Sequence, residues 1–150
     1  MQPLTTWTCD VCGEQVKPRK GTVIARHTKD DDRLLTGFLI VHKKVDGFTC
    51  DLGNENGYYY NVDLDTLLGQ DGMAHLLGHL SAGPLIAEEP VIRVADMDEF
   101  IDLFRRLQVP FYEQARTRFG DEDVTALYEG ANEYYPYLPG ELQKVASGPV

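Results

Sequence analysis

Cys9-Asp10-Val11-Cys12-Gly13 confines two of the chain's three cysteines to a five-residue stretch. Two sulfurs placed this way meet at one point only if the backbone reverses between them. Gly13 suits that reversal, because glycine accepts positive φ at little steric cost. The redox form of such a pair opens a helix directly after a core strand. Here Gly13 and the following Lys17-Pro18 make a helix start a poor fit. Three cysteines is an odd number, which matches reduced thiols better than a disulfide framework. Residues 1–5 lack the basic and apolar regions of a secretory signal. No apolar run approaches the roughly 20 residues needed to span a bilayer. These features lead us to expect a soluble, intracellular, cytoplasmic protein.

Locally the Cys-x-x-Cys-Gly pattern resembles the zinc knuckle of zinc ribbons and treble-clef domains. The resemblance is confined to roughly ten residues and implies a metal held by both sulfurs at about 2.3 Å. Two further ligands are then needed. Cys50 is the third, since no other cysteine remains, and the fourth is a histidine or a carboxylate. Four histidines compete: His27, His42, His75 and His79.

Strand patterning discriminates among them. Gly21–His27 and Leu34–His42 are β-branched or apolar runs, joined by the polar connector 28–33, and read as a hairpin. His27 then pairs with Leu34 at the loop end, while Lys20-Gly21 lie beside residues 41–43 at the other end. His42 sits where the chain leads back to the knuckle; His27 lies roughly 20 Å away along the strand at about 3.3 Å per residue. A three-residue loop, Val45-Asp46-Gly47, places His42 opposite Cys50, whereas a two-residue loop would put them on opposite faces. The expected ligands of a structural, closed Zn2+ site are therefore Cys9, Cys12, His42 and Cys50. Two alternatives stay open: another fourth ligand, or no metal, with Cys50 as a small buried hydrophobe. A further strand is expected over Tyr58–Val62.

The later chain turns helical. Asp71 is expected to cap a helix over Gly72–Ala82, stopped by Gly83-Pro84, with Met73, Leu76, Leu77 and Leu80 as its buried stripe. Asp96 and Glu99 resemble a capping box ahead of Met97, Phe100, Ile101, Phe104 and Leu107 at helical spacing. Pro110 fits the first turn of the next helix, ended by Gly120. Asp121 caps another, with Val124, Leu127, Tyr128, Ala131 and Tyr135 on one face, and residues 138–146 form a last short helix. The fold class is thus α+β: a small antiparallel β-hairpin module with a zinc knuckle, then three to five helices. A division at Pro84–Pro90 separates residues 1–84 from an acidic helical region, 85–150, the two packing together as one domain.

His75-Leu-Leu-Gly-His79 has the i, i+4 spacing of a helical zinc-protease motif, but Leu76 stands where the general-base Glu is required. Both histidines are expected on the exposed face, with Asp63 and Asp65 near in sequence. Phosphate-binding loops, nucleophile elbows and dinucleotide fingerprints are missing. Asp30-Asp31-Asp32 and Glu88-Glu89 read as solvated loop runs. Tyrosines at 58–60, 134, 135 and 137 read as half-buried positions with wet hydroxyls rather than base-stacking platforms.

Charge bears on partners. The net charge is −10, split as eight Lys/Arg against six Asp/Glu in residues 1–50 and six against eighteen in residues 51–150. Phosphate neutralisation, the main source of nucleic-acid affinity, is open only to Lys17, Arg19 and Lys20. The leading expectation is a non-enzymatic protein-interaction or regulatory module whose acidic helical half meets another, basic protein. The alternatives are a nucleic-acid-associated regulator using the basic N-terminal loop and a metal-dependent hydrolase using His75 and His79.

Overall fold

The computed structural model describes residues 1–45, 49–86 and 92–148. The expected Asp46-Gly47 turn, the Glu88-Glu89 pair and most of Pro84–Pro90 lie outside them. The chain is α+β, with strands gathered in two sheets. Strands β1 (Trp7–Thr8) and β2 (Gln15–Val16) pair antiparallel and close the knuckle loop between them. The larger sheet has the order β5-β3-β4-β6. Its central hairpin is β3 (Gly21–His27) and β4 (Leu34–His42), flanked by β5 (Tyr60–Asp63) and the short β6 (Arg93–Val94). β6 runs parallel to β4, pairing Leu34 with Arg93.

β3 is paired on both edges, and its residues 21–25 are buried without alternation, so both of its faces are covered there. The hairpin register differs by one residue from expectation at its loop end, where His27 pairs with Leu35. A bulge between Ile24 and Arg26 restores the balance, so that Gly21 pairs with His42. Two β4 residues, Gly37 and Phe38, stand opposite Ala25 alone, and their N–H groups both donate to the Glu99 carboxylate. Gly21 permits a close approach: a Cβ there would stand 2.5 Å from Val16 and 2.7 Å from Leu64.

Helix α1 spans Gly69–Leu77 and not 72–82. It follows directly from a 3-10 turn over Leu64–Leu67, so its cap is Leu68 and Asp71 falls inside the first turn. The buried stripe is also rotated. Gly72, Leu76 and His79 face inward, while Met73 and Leu77 are exposed. Gly72 sets this orientation, because its Cα lies against the Leu67 backbone, where a Cβ would meet the carbonyl carbon at 2.1 Å. Only a glycine lets the helix pack that closely.

Asp96 caps α2 (Met97–Gln108), its Oδ1 accepting the Glu99 N–H at 3.2 Å. The reciprocal half of a capping box is replaced by the Glu99 contacts to β4. From α2, Phe100, Leu103 and Leu107 enter one core with Trp7, Val16, Val23, Ile24, Leu35, Ile40 and Val41. A second core gathers Tyr112 and Ala115 of α3 (Tyr112–Ala115), Val124 of α4 (Glu122–Leu127), and Leu142 and Val145 of α5 (Pro139–Ser147). α4 ends too early to form the expected apolar face: Val124 is buried and Tyr128 half-buried, but Leu127, Ala131 and Tyr135 are exposed. Among the described residues no helix is long and apolar enough to cross a membrane.

Candidate metal centre

The knuckle is built by backbone bonds before any ligand chemistry enters. Gly13 N–H donates to the Cys9 carbonyl at 3.0 Å, and Cys9 N–H donates to the Glu14 carbonyl at 2.9 Å. Gly13 takes φ +79°, the left-handed conformation the reversal requires. Within that loop the N–H groups of Val11 and Cys12 point at the Cys9 sulfur, at 3.4 and 3.5 Å. The chain thus folds two thiols toward one point and supplies donors to the inner one.

The hairpin brings the third element. His42 ends β4 next to the knuckle; its Nδ1 lies 3.4 Å from the Cys12 sulfur and 3.7 Å from the Cys50 sulfur. The other ring nitrogen, Nε2, lies 2.8 Å from the Gln15 carbonyl oxygen. A carbonyl can only accept, so Nε2 carries the proton and Nδ1 presents a lone pair to the sulfurs. This carbonyl–imidazole pairing is the usual orienting contact for a metal-bound histidine. The ligand atoms of Cys9, Cys12, His42 and Cys50 all lie within 4.8 Å of one another, a group that could hold a metal ion. Among the described residues it is the one such group of histidines, cysteines and carboxylates.

Electrostatics in the cluster favour a cation. Burial pushes the Cys9 thiol up, but the Cys12 and Val11 N–H groups outweigh it and hold the thiol at about 6. Cys50 is pushed up to about 12, by burial first and then by the neighbouring Cys12 and Cys9 sulfurs. The first thiolate therefore forms readily and the last is opposed by those already there. A divalent cation would relieve that opposition. Cys9 and Cys50 are buried and Cys12 is exposed, so the cluster lies at the surface with its inner side sealed.

Arg106 ties this knuckle to the helices, and nothing in the sequence pattern marked it. The residue is 3% exposed. Its guanidinium donates to Asp10 Oδ2 at 2.7 Å, to Glu113 Oε1 and Oε2 at 2.6 and 2.9 Å, and to the Thr8 carbonyl at 3.2 Å. Asp10 also accepts the Ile40 N–H at 2.7 Å, and Glu113 accepts the Thr8 N–H at 2.9 Å. Trp7 Nε1 donates to the Arg106 carbonyl at 2.9 Å. Every residue in this network is satisfied, as a buried charge requires.

His75 and His79 do not share the exposed face. His75 is exposed, but His79 is 7% exposed because the Gly72 contact turns it inward. Its Nε2 and the Tyr60 hydroxyl lie 2.9 Å apart, and its ring stacks on Phe100 with centroids 5.7 Å apart. Burial lowers the His79 pKa and raises that of Tyr60. Asp63 pairs with Lys43 at 3.3 Å, and no carboxylate joins the two histidines in a metal-holding group among the described residues. Lys17, Arg19 and Lys20 are exposed around the 3-10 turn Pro18–Lys20 beside the knuckle.

No protein-family model, curated protein or solved structure matches the chain.

Proposed function

We propose that the chain is a zinc-stapled protein-interaction module, non-enzymatic, with its acidic helical half turned toward another protein. The observation that carries the metal is the His42 imidazole, locked by Gln15 with its Nδ1 lone pair facing the sulfurs. Three thiols and one imidazole form a soft donor set, which favours Zn2+ over hard cations. In a tetrahedral site with metal–sulfur bonds of about 2.3 Å, ligand atoms stand roughly 3.5 to 3.8 Å apart. The His42 distances of 3.4 and 3.7 Å match that spacing.

Four protein ligands leave no position for water or substrate, so such a zinc holds structure and does not polarise a reactant. Its role would be to fasten the β1–β2 loop to the end of β4, and through Asp10 to α2. Thiol ligands stay competent where cysteines stay reduced, which goes with a cytoplasmic setting. The interaction half of the reading rests on charge: six basic against eighteen acidic residues beyond position 50 produce a field that favours a basic protein surface over nucleic acid. Elemental analysis of full-length protein purified under reducing conditions tests the metal. One zinc per chain, lost in Cys9→Ser and Cys50→Ser variants, is expected. Protein that is folded and metal-free would refute it.

A further inference from the structure

The second core leaves a groove of about 350 Å³ open between α4, α5 and the segment 128–137. Its apolar wall is Phe119, Val124, Tyr128, Tyr137 and Val145, and Glu133 stands at its edge. Around it the chain exposes apolar and aromatic surface out of proportion to a solvated loop. Tyr134 is 77% exposed, Leu138 55% and Leu127 50%. Tyrosine-rich exposed surface of this kind is characteristic of binding sites, since tyrosine supplies large contact area with few rotatable bonds.

Charge selects the occupant. Residues 119–148 carry six carboxylates and one lysine. Asp121 and Asp123 pair with Arg118, and Glu141 pairs with Lys144 and Tyr128. Among the described residues no ion pair or hydrogen bond engages the side chains of Glu122, Glu129 or Glu133. A nucleic acid or an anionic membrane would be repelled, and so would a second copy of the same face. The chain also supplies its own example of what the surface accepts: the Arg105 guanidinium sits over the Tyr137 ring, 4.1 Å from its centroid.

We infer that this groove docks a basic segment of another protein, one apolar side chain seated among Val124, Tyr128 and Val145 and flanking Lys or Arg side chains on Glu129 and Glu133. The inference rests on the protein-interaction reading above and gives it a place. The apolar anchor supplies affinity, while the unpaired carboxylates steer approach and reject acidic segments.

The test is selection from a random dodecapeptide library on immobilised full-length protein, followed by titration of the recovered peptides. The expected peptides carry several Lys or Arg around one aliphatic or aromatic residue. Replacing that residue with Ala should weaken binding roughly tenfold, and a Glu129→Lys/Glu133→Lys double variant should do the same. Both glutamates are exposed, so the variant should fold, which circular dichroism checks. Chemical-shift changes should concentrate on Val124, Tyr128, Tyr137 and Val145. Basic peptides that bind the double variant equally well and shift other residues would overturn the groove while leaving the interaction reading in place. Recovery of no basic peptides would overturn both.

Discussion

Asp10, set between the two knuckle cysteines, accepts the Arg106 guanidinium of α2 at 2.7 Å across 96 positions of sequence. The same carboxylate oxygen accepts the Ile40 N–H of β4. One side chain therefore joins the knuckle, the central sheet and the helices. Glu113 completes the pair from α3 and reaches back to β1 through the Thr8 N–H. The Arg106–Glu113 pair is almost fully buried, which makes it costly to break on one side, while Asp10 keeps contact with solvent.

Arg106→Leu should accordingly destabilise the protein by about 3 to 5 kcal/mol, because the buried Glu113 would be left as an uncompensated charge. Urea unfolding followed by far-UV circular dichroism measures it. A loss below about 1 kcal/mol would mean that water enters and solvates Glu113.

Chelation should be visible through Trp7, the chain's single tryptophan, 1% exposed and packed beside the knuckle. Metal binding energy in a small module is folding energy, so removal should loosen β1 and β2 first. We expect the Trp7 emission to move to the red on chelator addition, with most helical dichroism retained, and to return on adding zinc. The Cys9→Ser variant should begin red-shifted and respond to neither. An emission spectrum indifferent to both reagents would separate the knuckle's structure from any metal.

His79 gives the fold an acid sensitivity of its own. Burial lowers its pKa below the ordinary 6.5, and repulsion from His75 adds to this. Above that value both folded and unfolded chains carry a neutral imidazole. As pH falls through it, the unfolded chain takes up its proton first, and stability declines until the folded-state value is passed. Thermal unfolding of the native protein and a His79→Gln variant between pH 7.5 and 5.5 should show a steeper decline for the former. At neutral pH, His79→Ala should cost about 2 kcal/mol or more through lost stacking on Phe100 and an unpaired Tyr60 hydroxyl. His75→Gln should stay within about 0.5 kcal/mol. Equal costs for the two would contradict their different burial.

Nucleic acid provides a discriminating negative. At about 0.15 M salt the positive excess of residues 1–50 is screened within about 8 Å, too short a range to overcome the acidic remainder. Titration of labelled duplex and single strands should show no appreciable binding. Salt-sensitive, low-micromolar binding abolished by changing Lys17, Arg19 and Lys20 to Ala would instead favour the nucleic-acid reading.

The sequence was most legible where a local rule had one geometric solution. Gly13 after a Cys-x-x-Cys pair demands a reversal, and the 21–27/34–42 hairpin puts His42 and not His27 at the knuckle end. The α2 cap at Asp96 is read as easily, because it involves neighbours only. What escaped depends on contacts between distant segments. Arg106 lies on a helix among other charged residues and looks solvent-facing until Asp10 and Glu113 are placed around it. His79 reads as exposed when the α1 wheel is centred on its largest apolar residues, whereas Gly72 against Leu67 decides which face turns inward. The two-residue β6 carries too short a pattern to announce a parallel pairing. α4 ends at Leu127 although an apolar spacing continues past it, so residues with a buried-face pattern, Leu127 and Tyr135, stand exposed near the groove.

The proposed centre is one zinc on three sulfurs and the His42 nitrogen. X-ray absorption at the zinc edge, on full-length protein purified under reducing conditions, measures ligand type and distance together. Such a centre should show three sulfurs at about 2.3 Å and one nitrogen at about 2.0 to 2.1 Å, with the nitrogen shell replaced in His42→Ala. A spectrum dominated by oxygen ligands, or protein that carries no zinc at all, would contradict it.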